Sequence, residues 1–242
     1  TGLEHGTITA VVDHEVFEIT TLRADLQTDG RHAAVEYTDS WEVDAHRRDF
    51  TMNAIYCDLE GNLYDPVGGI EDLHNNKIRF IGAPETRIQE DALRILRYFR
   101  FQAAFNSSYV DQTALTACTK LAPKLHHLSG ERIYSELFKW LAADNPLPSL
   151  VVSRDCGVLE NILTFAPTQT ALKILQTLIT YEQQCDDTDP VRRLYVLASG
   201  KATIQKIVHR LKLPKATTTR LEKIGSLTHL IVAGLSKHDA RK

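Results

Sequence analysis

Long apolar runs and clustered cysteines are both missing from this chain. No apolar run in its 242 residues approaches the roughly 20 that cross a bilayer, so we expect neither a membrane-spanning helix nor a membrane partner. The four cysteines lie far apart without a C-x-x-C pair, which argues against a zinc site or a disulfide framework. We expect each cysteine to be a small core residue. This usage is typical of a reducing compartment, the cytoplasm or, as an alternative, an organelle matrix.

Acidic residues are almost missing from the end of the chain. Residues 192–242 hold 12 of the 28 Lys and Arg residues but only 2 of the 31 Asp and Glu residues, a net charge of +10. Residues 1–191 keep the other 16 basic and 29 acidic residues, a net charge of −13. A basic end of this size predicts contact with a polyanion. The alternative is a set of solvated helix faces.

The first third of the chain has an α+β pattern, and the rest is helical. Two β-rich runs, Thr7–Val12 and Val16–Thr21, flank a turn and predict a hairpin. Ser40 precedes a predicted helix that extends to Arg48. The remaining predicted elements of this part are strands at 53–58, 63–65 and 77–81 and a short helix at 70–73. After Pro84, helical periodicity interrupted by Pro and Gly predicts a string of helices.

The segment Glu90–Phe101 predicts one continuous helix with two faces. Its apolar arc contains Ala92, Leu93, Ile95, Leu96, Phe99 and Ala103. Its polar arc contains Glu90, Asp91, Arg94, Arg97 and Tyr98, with Arg100 at the edge of the apolar face. Asp91 and Arg94 are three residues apart, so their side chains would lie side by side. Such a pair offers the acceptors and donors that a nucleobase edge needs, and the alternative is a surface salt-bridge ladder.

Two other segments carry candidate chemistry. After the helix that Ser40 precedes, Arg48 could contact phosphates and Asp49 could accept hydrogen bonds from ribose hydroxyls. The alternative for these residues is a helix C-terminus with favourable positive charge. Glu18 is predicted on the open face of a strand, where its carboxylate could help to position Mg²⁺. The alternative is an ordinary solvent-facing strand residue.

Six motifs occur in a recognisable order across residues 1–137. They are Thr1-Gly-x-x-His5-Gly-Thr7, Phe17-Glu-Ile-Thr-Thr-Leu-Arg23, Arg47-Arg-Asp-Phe-Thr-x-Asn-Ala54, Asp65-Pro-x-Gly-Gly-x-x-Asp-Leu73, Glu90-Asp-x-x-Arg-x-x-Arg-x-x-Arg-Phe101 and Gly130-Glu-Arg-Ile-x-x-Glu-Leu137. In this order they resemble the class II tRNA nucleotidyltransferases, the bacterial-type CCA-adding enzymes, and the related bacterial poly(A) polymerases. Beyond residue 137 the match is looser, although Leu211-Lys-Leu-Pro-Lys215 is similar to the helical body of that family.

The resemblance implies an α+β part followed by an all-α part. Residues 1–83 would be an incomplete polymerase-β-like nucleotidyltransferase head, residues 84–144 a neck that selects the nucleotide, and residues 145–242 a body that holds tRNA. Asp91 and Arg94 would read the incoming base. The other implied site residues are Glu18 as a catalytic carboxylate, Arg48, Asp49, Arg97 and Arg100 at the nucleotide, and Lys206, Arg210, Lys212 and Lys215 at the RNA. The implied partners are tRNA, CTP and ATP.

The chain departs from the family at the catalytic carboxylates. The family carries a Gly-Gly-x-x-Arg-Asp stretch and an Asp-x-Asp pair that hold two metal ions, and neither occurs here. The near matches Asp13-x-Glu15 and Asp187-x-Asp189 are predicted to be turn residues. The Mg²⁺ ligands would therefore lie mostly outside this chain. We expect a fragment that is inactive alone and could regain activity with a complementing head fragment.

Three functions remain open at this point, and within the first of them an enzyme that adds only CC or only A also remains open. The first is CCA addition to tRNA 3′ ends by template-independent nucleotidyl transfer from CTP and ATP. The second is poly(A) polymerase activity, which would use the same motifs. The third is a headless, non-catalytic RNA-binding module.

Overall fold

The computed structural model describes residues 7–29, 32–198 and 201–232. The chain separates into two compact units, Thr1–Asp91 and Ala92–Lys242. The division into head, neck and body stays a prediction. Within the described ranges, no helix is both long enough and apolar enough to cross a membrane.

The Thr1–Asp91 unit combines short antiparallel strand pairs with short helices. Its strands are β1 (Thr7–Val12), β2 (Glu15–Thr20), β3 (Arg23–Asp29), β4 (His32–Tyr37), β5 (Tyr56–Cys57) and β6 (Leu63–Tyr64), paired β1–β2, β3–β4 and β5–β6. Its α-helices are α1 (Trp41–Arg47), α2 (Gly69–His74) and α3 (Pro84–Glu90). The predicted hairpin is confirmed, with Asp13 and His14 at its tip in the left-handed region. The predicted helix after Ser40 is confirmed, since the Ser40 hydroxyl caps it by accepting from the Val43 amide.

A small core holds this unit together. Ala45, Ala54, Tyr56 and Ile81 form a buried cluster, and the rings of Phe50 and Phe80 pack 4.7 Å apart. The predicted strand at 77–81 is wrong, because among the described residues this segment makes only an isolated antiparallel bridge between Phe50 and Phe80. The partner segment turns into a 3₁₀-helix at Thr51, so its extended pairing stops after Phe50. The strands predicted at 53–58 and 63–65 are present but shortened to two residues each.

The Ala92–Lys242 unit is helical throughout its described residues. Its α-helices are α4 (Leu93–Ala104), α5 (Gln112–Leu121), α6 (Gly130–Leu141), α7 (Leu147–Asp155), α8 (Val158–Leu163), α9 (Gln169–Cys185), α10 (Pro190–Ala198), α11 (Lys201–Leu211) and α12 (Lys215–Val232), with a 3₁₀-helix at Ala122–His127. Helix α4 packs on α6 and α7, while α10 packs on α6, α9, α11 and α12. The α+β fold followed by helices is confirmed.

The prediction of one continuous helix through Glu90–Phe101 is wrong. Helix α3 ends at Glu90, and Asp91 is extended with φ −151° and ψ 109°. Helix α4 then begins at Leu93. Asp91 and Arg94 therefore do not share one helix surface, and the spacing of three loses the meaning it has within a helix.

Tyr98 was predicted on the polar arc, and this is also wrong because its side chain is fully buried. Between Ala92 and Ala103, only Arg94, Arg97, Arg100 and Phe101 are not buried. The neighbours of α4 enclose most of its circumference, so its open face is narrower than polarity alone indicates.

The four cysteines differ in how far they are buried. Cys118 is buried in α5, as predicted for a small core residue, and Cys156 is half-buried. Cys57 and Cys185 are exposed, so the prediction that each cysteine belongs to a core is wrong for these two.

Candidate functional site

A buried carboxylate organises the end of α1. Asp44 is fully buried and accepts hydrogen bonds from Arg47 Nε at 2.8 Å, Arg48 Nε at 2.9 Å and the Tyr56 hydroxyl at 2.9 Å. Burial alone would raise the pKa of Asp44, but the hydrogen bonds from Arg47 and Tyr56 outweigh it and lower that pKa. Burial and the bond to Asp44 raise the pKa of Tyr56 to about 12. The sequence placed Arg48 here but gave no sign of the role of Asp44.

The Arg48 guanidinium is fixed by its neighbours, which engage only part of its hydrogen-bond donors. Its Nη2 lies 2.8 Å from Asp44 Oδ2 and its Nη1 donates to the Asn53 carbonyl at 3.0 Å. The guanidinium also lies over the Tyr56 ring, 5.2 Å from its centroid. A guanidinium has five N–H donors, so two remain after these contacts. About 31% of the side chain is exposed.

Asp49, the next residue, closes a tight backbone turn. Its Oδ1 accepts from the Phe50 amide at 3.0 Å and from Asn53 Nδ2 at 2.9 Å, and the residue is 8% exposed. Thr51 then donates its hydroxyl to Asp72 Oδ2 at 2.6 Å. These bonds explain why the Arg-Asp-Phe-Thr-x-Asn run folds as a unit.

The Asp65-Pro-x-Gly-Gly run supports that turn from the other side. Both oxygens of Asp65 accept from backbone amides at the start of α2, those of Gly69 at 2.8 Å and Ile70 at 2.9 Å. Burial acts to raise the pKa of Asp65, but the hydrogen bonds from these amides lower it by a larger amount. The pKa of Asp65 therefore lies below its ordinary value. A Cβ at Gly69 would lie 2.2 Å from the Thr51 carbonyl oxygen, so only glycine allows this contact.

Glu18 lies on the exposed strand β2, opposite Thr9. Within the described ranges, no group of three or more His, Cys, Asp or Glu residues lies close enough together to hold a metal ion. One exposed carboxylate does not replace the several oxygen ligands that Mg²⁺ prefers. The described residues therefore do not form a divalent-cation site by themselves.

The arginines of α4 are steadied by a carboxylate on α6. Glu136 is buried and accepts from Arg100 Nε at 2.6 Å, while Arg97 Nη1 lies 3.7 Å from its other oxygen. The Arg97 and Arg100 guanidiniums also lie 5.4 and 3.9 Å from the centroid of the Phe101 ring. Asp91, Arg94, Arg97 and Arg100 are partly buried, with 29% of the Arg97 side chain and 15% of the Arg100 side chain exposed. This face is cationic and held by neighbouring side chains.

The four candidate RNA-binding residues differ in their contacts. Lys206 and Lys215 are exposed and make no ion pair among the described residues. Lys212 is exposed but lies 3.1 Å from Glu131. Arg210 donates to the carbonyls of Leu125 at 2.8 Å and Leu128 at 3.2 Å, and burial lowers its pKa. Arg210 thus ties α11 to the segment that precedes α6.

A buried ionic network, unexpected from the sequence, joins α9, α10 and α12. Glu182 accepts from Arg193 Nε at 2.6 Å and from Arg192 Nε at 3.0 Å. Asp189 caps α10 by accepting from the Val191 amide and pairs with Arg220 at 2.7 Å. The prediction that Asp189 is merely a turn residue is therefore incomplete. Its position directly before Pro190 was the available signal, because Asp at the N-cap and Pro at the first helical position are common.

Two family models match the chain. The poly A polymerase head domain matches residues 1–79, and the probable RNA and SrmB-binding site of polymerase A matches residues 110–172. These two matches flank the segment that contains Asp91 and α4.

Curated relatives match most of the chain. A mitochondrial CCA tRNA nucleotidyltransferase 1 of Danio rerio is 37% identical over 243 residues, covering 100% of this chain and 56% of that protein. The Homo sapiens protein of the same name is 40% identical, covering 88% of this chain and 49% of its own length. A CCA-adding enzyme of Staphylococcus epidermidis is 36% identical, covering 88% and 56%. The chain spans about half the length of the curated relatives it matches.

Solved structures share the fold. The Bacillus stearothermophilus CCA-adding enzyme in complex with CTP superposes with a TM-score of 0.77 at 28% identity, covering 94% of this chain and 54% of that one. A Thermotoga maritima CCA-adding enzyme complexed with tRNA has a TM-score of 0.69 at 20% identity, which supports the fold alone.

Proposed function

Because the chain belongs to the family of CCA-adding enzymes and poly(A) polymerases, we propose that it supplies the base-selecting and RNA-holding part of a tRNA nucleotidyltransferase. The reaction is CCA addition to tRNA 3′ ends by template-independent transfer from CTP and ATP. The observation that carries this proposal is the identity of 37% along the whole chain with a protein named CCA tRNA nucleotidyltransferase. The structural match to an enzyme described with CTP supports CTP as a substrate.

The base is read by Asp91 and Arg94 in this proposal. Asp91 offers two acceptor oxygens and Arg94 offers several donors, so together they can pair with the polar edge of cytosine or adenine. A good bidentate contact discriminates between bases by about 1–3 kcal/mol, and two such contacts could separate C and A from G and U.

The remaining nucleotide contacts are electrostatic. Arg48 keeps two N–H donors for a phosphate, since Asp44 and the Asn53 carbonyl take the other three. Arg97 and Arg100 add positive charge that Glu136 holds in position. Preorganised charge of this kind stabilises the negative charge that develops at the triphosphate. The resemblance alone assigns Asp49 to the ribose, because its Oδ1 is bound within its own turn.

Nucleotidyltransferases of this family generally use divalent metal ions, and we propose Mg²⁺. When bound, such an ion would supply positive charge at the triphosphate. Glu18 would supply at most one carboxylate, and a complementing head segment would supply the others. For location, the cysteine usage supports the cytoplasm, and the mitochondrial names of the animal relatives support an organelle matrix as the alternative.

The test is nucleotide incorporation into tRNA that lacks its 3′ CCA, with Mg²⁺, CTP and ATP. The chain alone should incorporate neither nucleotide. Addition of a separate polypeptide carrying the Gly-Gly-x-x-Arg-Asp and Asp-x-Asp segments should restore ordered addition of C, C and A. In the complemented enzyme, Asp91→Ala and Arg94→Ala should each lower the preference for CTP over UTP. Lys173→Ala, exposed on α9, serves as the matched control and should change nothing.

Each competing function predicts a different product. Incorporation of ATP alone, with no requirement for CTP, would identify a poly(A) polymerase, which the description of the head-domain model favours. RNA binding without incorporation, even after complementation, would identify a non-catalytic module. Efficient CCA addition by the chain alone would contradict the expectation that it needs a complementing segment.

A further inference from the structure

The carboxyl end of α6 is held by one fully buried guanidinium. Arg193 Nη1 donates to the carbonyls of Leu141 at 2.6 Å and Ala143 at 2.5 Å. These carbonyls belong to the last turn of the helix and to the residue beyond its cap. The last carbonyls of a helix have no partner within it, and a positive charge at this end is favourable. Arg193 therefore binds carbonyls that would otherwise be unpaired at the end of α6.

Glu182 makes this arrangement possible. A buried guanidinium is costly without a negative partner, and Glu182 Oε2 accepts from Arg193 Nε at 2.6 Å. Arg193 and Glu182 are 0% and 3% exposed, so neither side chain is available to a solvent ligand. The pair acts inside the fold, between α9 and α10 on one side and α6 on the other.

The end of α6 that Arg193 holds is the end that contacts α4. The Trp140 ring stacks on Phe99 of α4, with centroids 5.7 Å apart and an interplanar angle of 13°. The indole N–H donates to Ser149 Oγ at 2.7 Å, so the ring has a fixed orientation. One turn earlier on α6, Glu136 binds Arg100, the residue next to Phe99. A shift of the last turn of α6 would therefore displace both contacts with α4.

We infer that Arg193 and Glu182 are positioning residues for nucleotide binding. They set the position of α6, and through Trp140 and Glu136 they set the positions of Arg97 and Arg100 on α4. They touch no substrate. This inference rests on the proposed function only in assigning Arg97 and Arg100 to the nucleotide; the mechanical link itself stands on the contacts.

The test replaces the pair while keeping the fold. The double variant Glu182→Leu with Arg193→Met removes both charges together, and such apolar replacement of a buried ion pair is often neutral for stability. Arg193→Lys keeps the charge but loses the planar fork that reaches two carbonyls. Arg154→Lys, at the surface pair with Asp155, is the matched control.

Two measurements on the chain separate positioning from stability. The first is the NMR signal of the Arg100 side-chain Nε–H and its rate of exchange with solvent. We expect this rate to rise at least about tenfold in the double variant, as for a weakened charged hydrogen bond, and less in Arg193→Lys. The second is the Kd for CTP by equilibrium dialysis, expected to rise by roughly tenfold on the same reasoning. Arg154→Lys should change neither measurement.

The outcomes decide between the inference and its alternatives. A folded double variant with unchanged Arg100 exchange and unchanged CTP affinity overturns the inference. Should the double variant not fold, Arg193→Lys decides: a lower melting temperature with both measurements unchanged shows a merely structural role and also overturns it. A parent chain that binds no CTP contradicts the proposed function, while the Arg100 exchange rates still test the link through α6.

Discussion

Thirteen of the seventeen large apolar side chains that are exposed among the described residues belong to the Thr1–Asp91 unit. The same unit contributes only 8 of the 43 buried hydrophobic residues, and the Ala92–Lys242 unit contributes the other 35. The helical unit thus has a closed core of its own. The α+β unit instead presents apolar surface of the kind that marks contact with another polypeptide.

The hairpin β1–β2 shows this difference most clearly. Ile8, Val12, Phe17 and Ile19 lie on one face of the hairpin and are each about half exposed. The opposite face carries Glu18 with Thr7, Thr9 and Thr20, and also Val11 and Val16 near the turn. An isolated two-stranded hairpin is marginally stable in water. This supports the complementing head segment in the proposed function, because its binding would cover the apolar face and leave the Glu18 face open.

The largest difference between the units should be in the free energy of unfolding that each loses when a phenylalanine is replaced by alanine. Phe99→Ala removes a ring that is 0% exposed in α4, whereas Phe17→Ala removes one that is 48% exposed in β2. We expect Phe99→Ala to lower the free energy of unfolding by about 3–5 kcal/mol. Phe17→Ala should lower it by about 0.5 kcal/mol, as is usual for surface positions. Urea denaturation followed by circular dichroism measures both, and equal losses would contradict the contrast.

The buried ionic network around Asp44 should make a measurable contribution to the stability of the α+β unit. Asp44→Asn leaves Arg47 and Arg48 without their buried partner and should cost about 3 kcal/mol, since both arginines keep some access to water. Hydrogen bonds make the folded-state pKa of Asp44 lower than the unfolded one. The network therefore contributes stability above about pH 4, the unfolded value, and that contribution is lost as the pH falls towards the folded pKa.

Unfolding between pH 7 and pH 3 checks this dependence. The parent chain should lose stability more steeply over this range than Asp44→Asn, whose amide does not titrate. Equal slopes for the two proteins would show that Asp44 is not the group responsible.

Close packing in the helical unit can be tested at two glycines. A Cβ at Gly130 would lie 2.5 Å from the Arg210 carbonyl oxygen, so Gly130→Ala should push α6 from α11 and cost about 2 kcal/mol. At Gly225 the nearest atom to a new Cβ is 3.5 Å away on Tyr195. Gly225→Ala should therefore stabilise α12 by about 0.5–1 kcal/mol. Thermal unfolding measures both, and changes of the same sign would argue against close packing at Gly130.

The smallest effect concerns exposed apolar surface itself. Ile19 on β2 and Ile174 on α9 are both 52% exposed. Ile19→Thr should reduce the fluorescence of a bound hydrophobic dye, because it interrupts a continuous apolar face. Ile174→Thr should leave the fluorescence unchanged, because a single exposed apolar residue on α9 is ordinary. Neither change should alter stability by more than about 0.5 kcal/mol. A similar loss of dye binding in both would remove the distinction between the units.

Local signals were sufficient for much of the fold. Ser40 at an N-cap, the turn between β1 and β2 and the Asp65-Pro-x-Gly-Gly loop are each determined by nearby residues, so the sequence predicts them. The prediction of a strand at 77–81 is wrong because the pairing of this segment depends on where the segment after α1 turns into a 3₁₀-helix. The prediction that Asp91 is helical is wrong for a similar reason. Its neighbours favour a helix, and only the three-dimensional structure shows that Asp91 is extended.

The site was predictable by residue type but not by environment. The resemblance pointed to Arg48, Arg97 and Arg100, and its sixth motif contains Glu136. Only the structure shows that Asp44 and Glu136 are the carboxylates that bind these arginines. Asp44 is four residues from Arg48 on α1, and such spacing occurs by chance in most helices. The partnership of Glu136 with Arg100 spans 36 residues. A pattern within a few neighbouring residues cannot reveal a contact between residues so far apart in the sequence.

The arginines of the basic end that bind other protein groups affect how strongly salt would weaken RNA binding. Arg192, Arg193 and Arg220 are neutralised by carboxylates, and Arg210 is engaged by carbonyls. Ions condensed on RNA are displaced only by cations that reach the phosphates. Among the described residues of this end, the exposed lysines without an ionic partner are Lys206, Lys215 and Lys223. These three lysines should contribute a slope of magnitude about 2–3 to a plot of log Kd against log salt.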